Sequence, residues 1–98
     1  AKELNDIPEK VKESAPGAVA AILRAQGNPN QRITIFRATV GDSINSGDWV
    51  FLDRNQADRW TRTAFGRPKP GVKVLTMTVK ASQVDWTRKN LEFVYVGK

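Results

Sequence analysis

The 98-residue chain is predicted to fold as one α+β domain with a mostly antiparallel sheet. Apolar residues recur at helical spacing through residues 1–30, and from Ile33 onward their period changes to two. The predicted order is helix, helix, strand, strand, helix, strand, strand. Because strands and helices do not alternate, this order argues against a doubly wound parallel sheet. We therefore divide the chain into a helical N-terminal segment, residues 1–30, and a sheet domain, residues 31–98, that together form one compact unit.

Two short helices are predicted in the N-terminal segment, at about residues 7–14 and 16–26. Asp6 is a candidate N-cap for the first helix, and Pro8 suits its first turn because that position needs no N–H donor. The run Gly27-Asn28-Pro29-Asn30 is expected to end the second helix, since glycine and proline interrupt helical hydrogen bonding.

Alternation of side chains predicts the strands that follow. In the first strand, one face carries Ile33, Ile35, Arg37 and Thr39, and the other carries Thr34, Phe36, Ala38 and Val40. Further strands are predicted at Trp49 to Leu52, Val72 to Lys80, Val84 to Trp86 and Leu91 to Val96. A helix from Asp53 to Thr63, with Asp53 as its N-cap, separates the second strand from the third.

The composition excludes several kinds of chemistry. The chain has no cysteine and no histidine, so disulfides, thiolate metal sites and histidine-based catalysis are excluded, and no metal site is expected. The net charge of +6 and the pI of about 10.1 favour polyanionic partners or anionic ligands. No segment has the length and apolarity of a membrane span, so no membrane partner is expected.

Arg37 is the first candidate functional residue, because an arginine inside an apolar strand needs a partner for its charge. The partner is either an acid of the same chain or an external phosphate, which a guanidinium binds with two parallel hydrogen bonds. Glu92, in the last apolar strand, is the second candidate; it is either an exposed strand residue or a carboxylate with an arginine partner.

A basic loop is the third candidate. It contains Arg62, Arg67, Lys69 and Lys73, and Trp60 and Phe65 lie within or beside it. Such a loop either binds nucleic acid, with the aromatic rings stacking on bases, or is a solvated edge of the domain. No recognised nucleic-acid motif and no phosphate-binding glycine loop is present.

Four segments, in order, resemble one family. IFRATVG, INSGDWVFLDRNQADRW, KVLTMTVKASQVDW and NLEFVYVG are similar to the small ADP-ribosyltransferase-like domains encoded by phages and mobile elements, often as modules of larger proteins. The resemblance covers about residues 31–97. It implies a small, mostly antiparallel split β-sheet preceded here by the N-terminal helices.

The resemblance also implies roles for individual residues. Arg37 would bind the phosphates and ribose of NAD, and Glu92 would be the catalytic glutamate that contacts the nicotinamide ribose and stabilises its developing positive charge. Asp53 falls where the family has serine or threonine, and would contribute to NAD binding from there. Trp49 and Phe51 would line the nicotinamide pocket, and Trp60 would border the same cleft. The alternative for all three aromatic residues is a packing role in the core.

The function implied is transfer of ADP-ribose from NAD, as substrate, to a macromolecular acceptor, protein or nucleic acid, by a phage- or toxin-type protein. The alternative is a non-catalytic basic module that binds nucleic acid or a protein partner; a structural piece of a virion is a third reading. The expected location is the cytoplasm of the host or producing cell, or a secreted or virion-associated protein of which this domain is part. The oligomeric state stays open.

Overall fold

The computed structural model describes residues 9–86 and 93–97. Three helices lie at α1 (Glu9–Ser14), α2 (Pro16–Ala25) and α3 (Arg54–Arg59). Five strands lie at β1 (Arg32–Thr39), β2 (Trp49–Val50), β3 (Lys73–Lys80), β4 (Val84–Trp86) and β5 (Phe93–Tyr95). All the strand pairs are antiparallel within these residues, so the predicted α+β class with antiparallel sheets is confirmed.

The strands form two antiparallel sheets that meet at one residue pair. β1 pairs along its whole length with β3, while β5 lies between β2 and β4. Phe36 of β1 and Phe51, which directly follows β2, exchange both backbone hydrogen bonds at 2.8 Å. The order across the joined sheets is therefore β3, β1, β2, β5, β4.

The hydrophobic core lies between α2 and the sheets. Its buried members are Ala15, Ala18, Ala21, Ile33, Ile35, Val50, Leu52, Val79 and Phe93. The helix contributes alanines, whose small side chains let it approach the strands closely, and β1 contributes the predicted isoleucine face. Full burial of a side chain such as that of Ile35 contributes about 1.5–3 kcal/mol to the stability of the folded state. Helix α2 thus shares one core with the sheets.

Most element bounds agree with the sequence prediction to within two residues. The predicted helix from Asp53 to Thr63 is shorter than expected, because α3 ends at Arg59. The chain turns there, and the Thr61 hydroxyl donates to the Asp58 carbonyl at 2.6 Å. The predicted caps of the first helix, and residues 91–92 of the last predicted strand, lie outside the described residues.

Asp53 binds the first turns of two helices at once. Its carboxylate is buried, with 5 % of the residue surface exposed. Oδ1 accepts hydrogen bonds from the backbone N–H groups of Asn55 at 2.7 Å and Gln56 at 3.3 Å, so the predicted N-cap of α3 is confirmed. Oδ2 accepts from the backbone N–H of Gly17 in α2 at 2.8 Å. One side chain therefore satisfies donors that helix starts leave unpaired.

No helix among the described residues combines the length and apolarity needed to cross a membrane.

Asp53→Ala is expected to lower the free energy of unfolding by about 2–3 kcal/mol, because it removes the cap of α3 and leaves the partly buried N–H of Gly17 without its acceptor. The stability of the Asp53→Asn protein should lie between those of the wild type and of Asp53→Ala, since a single amide oxygen replaces two carboxylate oxygens. Urea denaturation followed by circular dichroism measures both. The control is Asp58→Ala, an exposed acid of the same helix. Equal stability of the Asp53→Ala and Asp58→Ala proteins would contradict the role of Asp53.

Gly17→Ala is expected to destabilise the protein by about 1 kcal/mol, although alanine favours helices, because the added methyl overpacks this contact. A Cβ at this position would lie 2.9 Å from Asp53 Oδ2. Gly41→Ala, whose Cβ would make an ordinary 3.5 Å contact with Thr39, is the control. In an Asp53→Ala background the effect of Gly17→Ala should disappear; strictly additive effects would show that the two residues do not interact.

Candidate ligand-binding site

A cavity of about 410 Å³ opens where β1 meets β2, and we call it the Arg37 cavity. Its lining residues are Arg37, Ala38, Thr39, Trp49, Val50, Phe51, Trp60, Lys69 and Val72. They come from β1, from β2 and the residue after it, and from the segment that follows α3. The volume falls within the range of about 300–1,000 Å³ that is usual for small-molecule sites.

Arg37 is held by two groups of the protein. Its Nη1 donates to the backbone carbonyl of Trp49 at 2.8 Å, and its Nε lies 3.6 Å from Asp48 Oδ2. Of the two kinds of partner left open by the sequence, an acid of the same chain is therefore present. A guanidinium has five N–H donors, and these contacts leave some of them for a ligand.

Asp48 is itself fixed by the turn before β2. Its Oδ2 also accepts from the backbone N–H of Asn45 at 2.8 Å, and its carbonyl accepts from the N–H of Tyr95 in β5 at 3.0 Å. The neighbouring Gly47 donates to the Tyr95 carbonyl at 2.7 Å. Because the turn is bound to β5, the position of the Arg37 guanidinium depends on the three-stranded sheet that contains β5.

Aromatic rings form one wall of the cavity. Phe51 and Trp60 stack with their ring centres 6.5 Å apart and their planes 20° apart. Trp60 keeps 58 % of its surface exposed and Trp49 keeps 45 %, so both rings present area that a ligand can cover. Exposed indole rings at a cavity suit a planar ligand, since stacking on them buries apolar surface without a polar cost.

Lys69 adds a second positive charge to the lining. Its Nζ lies 5.7 Å from the centre of the Trp60 ring, which is a cation–π contact. Among the described residues, the lining therefore combines two cations with three aromatic residues and contains no carboxylate. An arrangement of this kind favours a ligand with both a negative charge and a planar ring. The sequence did not assign Lys69 to the site, because its position depends on how the chain returns after α3.

Of the five site residues predicted from the sequence, three line the Arg37 cavity. Arg37, Trp49 and Phe51 line the cavity. Asp53 is not a lining residue, and its carboxylate binds the backbone of α2 and α3 instead. Glu92 lies outside the described residues, although Phe93, the next residue, pairs with Val50 of the lining. The roles of Asp53 and Glu92 toward NAD stay predictions.

A second, smaller cavity of about 200 Å³ lies beside α2. Its described lining residues are apolar apart from Gln26 and include Ile22, Leu52 and Trp86, and none of the described ones is charged. The described lining of this second cavity therefore has no positive charge with which to bind an anion. Among the described residues, no group of three or more acidic side chains could hold a metal ion.

No protein-family model matches the chain, and the searches of curated proteins and of solved structures found none that is significantly similar.

Arg37→Ala is expected to lower the free energy of unfolding by about 1 kcal/mol, through loss of the bond to the Trp49 carbonyl and of the pair with Asp48. Arg32→Ala is the matched control, since Arg32 lies on the same strand with an exposed side chain. The control should stay within about 0.5 kcal/mol of the wild type. Chemical denaturation of both variants checks this, and an Arg37→Ala protein as stable as the control would contradict the structural role.

Proposed function

We propose that this chain is a small ADP-ribosyltransferase-like domain that transfers ADP-ribose from NAD to a macromolecular acceptor. One observation carries the proposal. The resemblance implies Arg37, Trp49 and Phe51 as NAD-binding residues, and all three line one cavity. They lie on two separate strands, so their meeting depends on the fold. The split, antiparallel sheet that the resemblance implies agrees with the two sheets joined at Phe36 and Phe51.

The composition of the cavity supports a dinucleotide ligand. Arg37 and Lys69 provide charge for the diphosphate, and the guanidinium is the better suited because it can donate two parallel bonds to one phosphate. Trp49 and Trp60 provide partly exposed indole side chains that a planar base can contact. The two cations distinguish this cavity from a purely apolar pocket, and the two indoles distinguish it from a site for phosphate alone.

In the proposed reaction the bond between nicotinamide and C1′ of its ribose breaks, and neutral nicotinamide leaves with the bonding electron pair. Positive charge then spreads over C1′ and the ring oxygen. A nucleophilic atom of the acceptor bonds to C1′ and loses its proton to solvent. We assign to Glu92 the stabilisation of the developing positive charge, a role that a carboxylate can perform without histidine.

The two acids of the predicted set have different roles in this proposal. Phe93 pairs with Val50 of the cavity lining, which supports assigning the preceding Glu92 to the same site. Asp53 acts through the fold instead. Its carboxylate is occupied by three backbone N–H groups, so it fixes the start of α3 and thereby Trp60 at the other end of that helix.

Glu92→Gln is expected to reduce transfer of labelled ADP-ribose from NAD, in a cell lysate, by about 100-fold or more, because an amide cannot stabilise the positive ribose. Glu13→Gln, on the exposed side of α1, is the charge-matched control and should transfer as the wild type does. Arg37→Lys should weaken NAD binding, measured by calorimetry, by about tenfold, through loss of the paired hydrogen bonds.

The possible results separate the two classes of function. Absence of both label transfer and NAD binding in the wild type would overturn the proposed enzyme. NAD binding that is normal in the Glu92→Gln protein, together with lost transfer, is the pattern expected of a catalytic glutamate. Absence of NAD binding together with a steeply salt-dependent affinity for DNA or RNA would favour the non-catalytic module.

A further inference from the structure

The positive charge of the chain is concentrated in one stretch. Residues 59–84 contain six lysines and arginines and no acid, which equals the net charge of +6 of the whole chain. Within the first part of this stretch, residues 61–69 form a hairpin that we call the Phe65 hairpin. The proposed NAD site uses only Lys69 from it, so most of its charge has no role in that site.

Backbone hydrogen bonds fix the shape of the Phe65 hairpin. The N–H of Lys69 donates to the Thr61 carbonyl at 2.7 Å, and the N–H of Thr63 donates to the Arg67 carbonyl at 2.7 Å. The N–H of Arg67 also donates to the Thr63 hydroxyl at 3.2 Å. These bonds tie the two arms together along their length, so the hairpin is an ordered projection rather than a loose loop.

The tip of the hairpin presents one aromatic ring to solvent. The N–H of Gly66 donates to the Thr63 carbonyl at 2.9 Å, which closes a turn with Ala64 and Phe65 at its centre. Gly66 has a φ of +81°, as a three-residue hairpin loop requires at its last position. Phe65 is 94 % exposed. A turn that needs glycine thus holds a phenyl ring away from the core.

Arg62 and Arg67, beside the Phe65 ring, are available to bind an anion, whereas Lys73 is already paired. Lys73 forms an ion pair with Asp42 at 2.9 Å, and its hydrogen bond and charge hold the pKa of Asp42 below the usual value. Among the described residues, by contrast, no carboxylate lies within 4.0 Å of Arg62 or Arg67. Both arginines are exposed and flank the tip of the hairpin.

We propose that the Phe65 hairpin binds single-stranded nucleic acid, with Phe65 stacking on a base and Arg62 and Arg67 contacting phosphates. Stacking platforms flanked by cations are the usual means of binding single strands. An acidic peptide would also meet the charge, but its carboxylate side chains offer no planar ring to stack on the exposed Phe65, whereas every base does. The hairpin begins next to Trp60 and ends at Lys69, and both of these residues line the Arg37 cavity, so a bound strand lies beside that cavity.

The test is fluorescence anisotropy with a labelled oligothymidylate of 20 nucleotides at several salt concentrations. Phe65→Ala should weaken binding by about tenfold, and Phe65→Leu nearly as much, because leucine is apolar but has no ring to stack. The Arg62→Ser and Arg67→Ser double variant should weaken binding and reduce the slope of log K against log salt by about 1.4. The control is the double variant Arg24→Ser and Arg32→Ser, which removes the same charge from exposed positions elsewhere.

Several results would overturn the proposal. One is a Phe65→Ala protein that binds the oligonucleotide with wild-type affinity. Another is an equal loss of oligonucleotide affinity in the two double-arginine variants. A third is binding of polyglutamate or of phosphatidylserine vesicles that is as tight as oligonucleotide binding and depends on Phe65. All the changed side chains are exposed, so thermal denaturation should show folded proteins. The assay needs no NAD, and the Phe65→Ala protein should bind NAD as the wild type does. Failure of this proposal is therefore distinguishable from failure of the proposed transferase.

Discussion

The buried carboxylate of Asp53 accepts hydrogen bonds from the first turns of two helices, and the rest of the structure depends on this contact. Asp53 directly follows Leu52 of the core, so it connects the central strands to α3. Through Gly17 it also holds α2 over the sheet, and the approach is close enough that a methyl group on Gly17 would collide with it. The direction of α3 then determines where Trp60 lies. A site built from β1, β2 and the segment after α3 therefore requires this one anionic contact within the core.

The second determinant of the site is the single pair that joins the two sheets. Phe36 and Phe51 exchange their backbone hydrogen bonds, and one chain neighbour of each residue lines the Arg37 cavity. Arg37 follows Phe36 on one strand, and Val50 precedes Phe51 on the other. The cavity thus lies where the two sheets join, in space that side chains do not fill. Ligand sites are common at such boundaries between structural units.

Local patterns in the sequence predicted the regular elements well. The isoleucines of β1, the alternation of β3 and the cap at Asp53 depend on neighbours within a few residues, and each is present as expected. The bond from Gly17 to Asp53 spans 36 residues, so no local pattern could have indicated it. The early end of α3 and the hairpin after it were likewise missed, since the helical spacing continues past Arg59. Lys69 was placed only in a basic loop for the same reason: its approach to Trp60 depends on the return arm of that hairpin. The choice between two partners for Arg37 required the position of Asp48, which the sequence left open.

The contacts that fix Arg37 have a consequence for molecular recognition. An arginine side chain carries about 2 kcal/mol of rotamer entropy, and a free one loses much of it when a ligand binds. Here the Trp49 carbonyl and Asp48 have already restricted the guanidinium in the protein alone. The entropic cost of capturing an anion therefore falls mainly on the anion itself. The nearby Asp48 carboxylate also weakens the electrostatic attraction between Arg37 and an anion. The cavity therefore selects ligands more by their shape than by their charge.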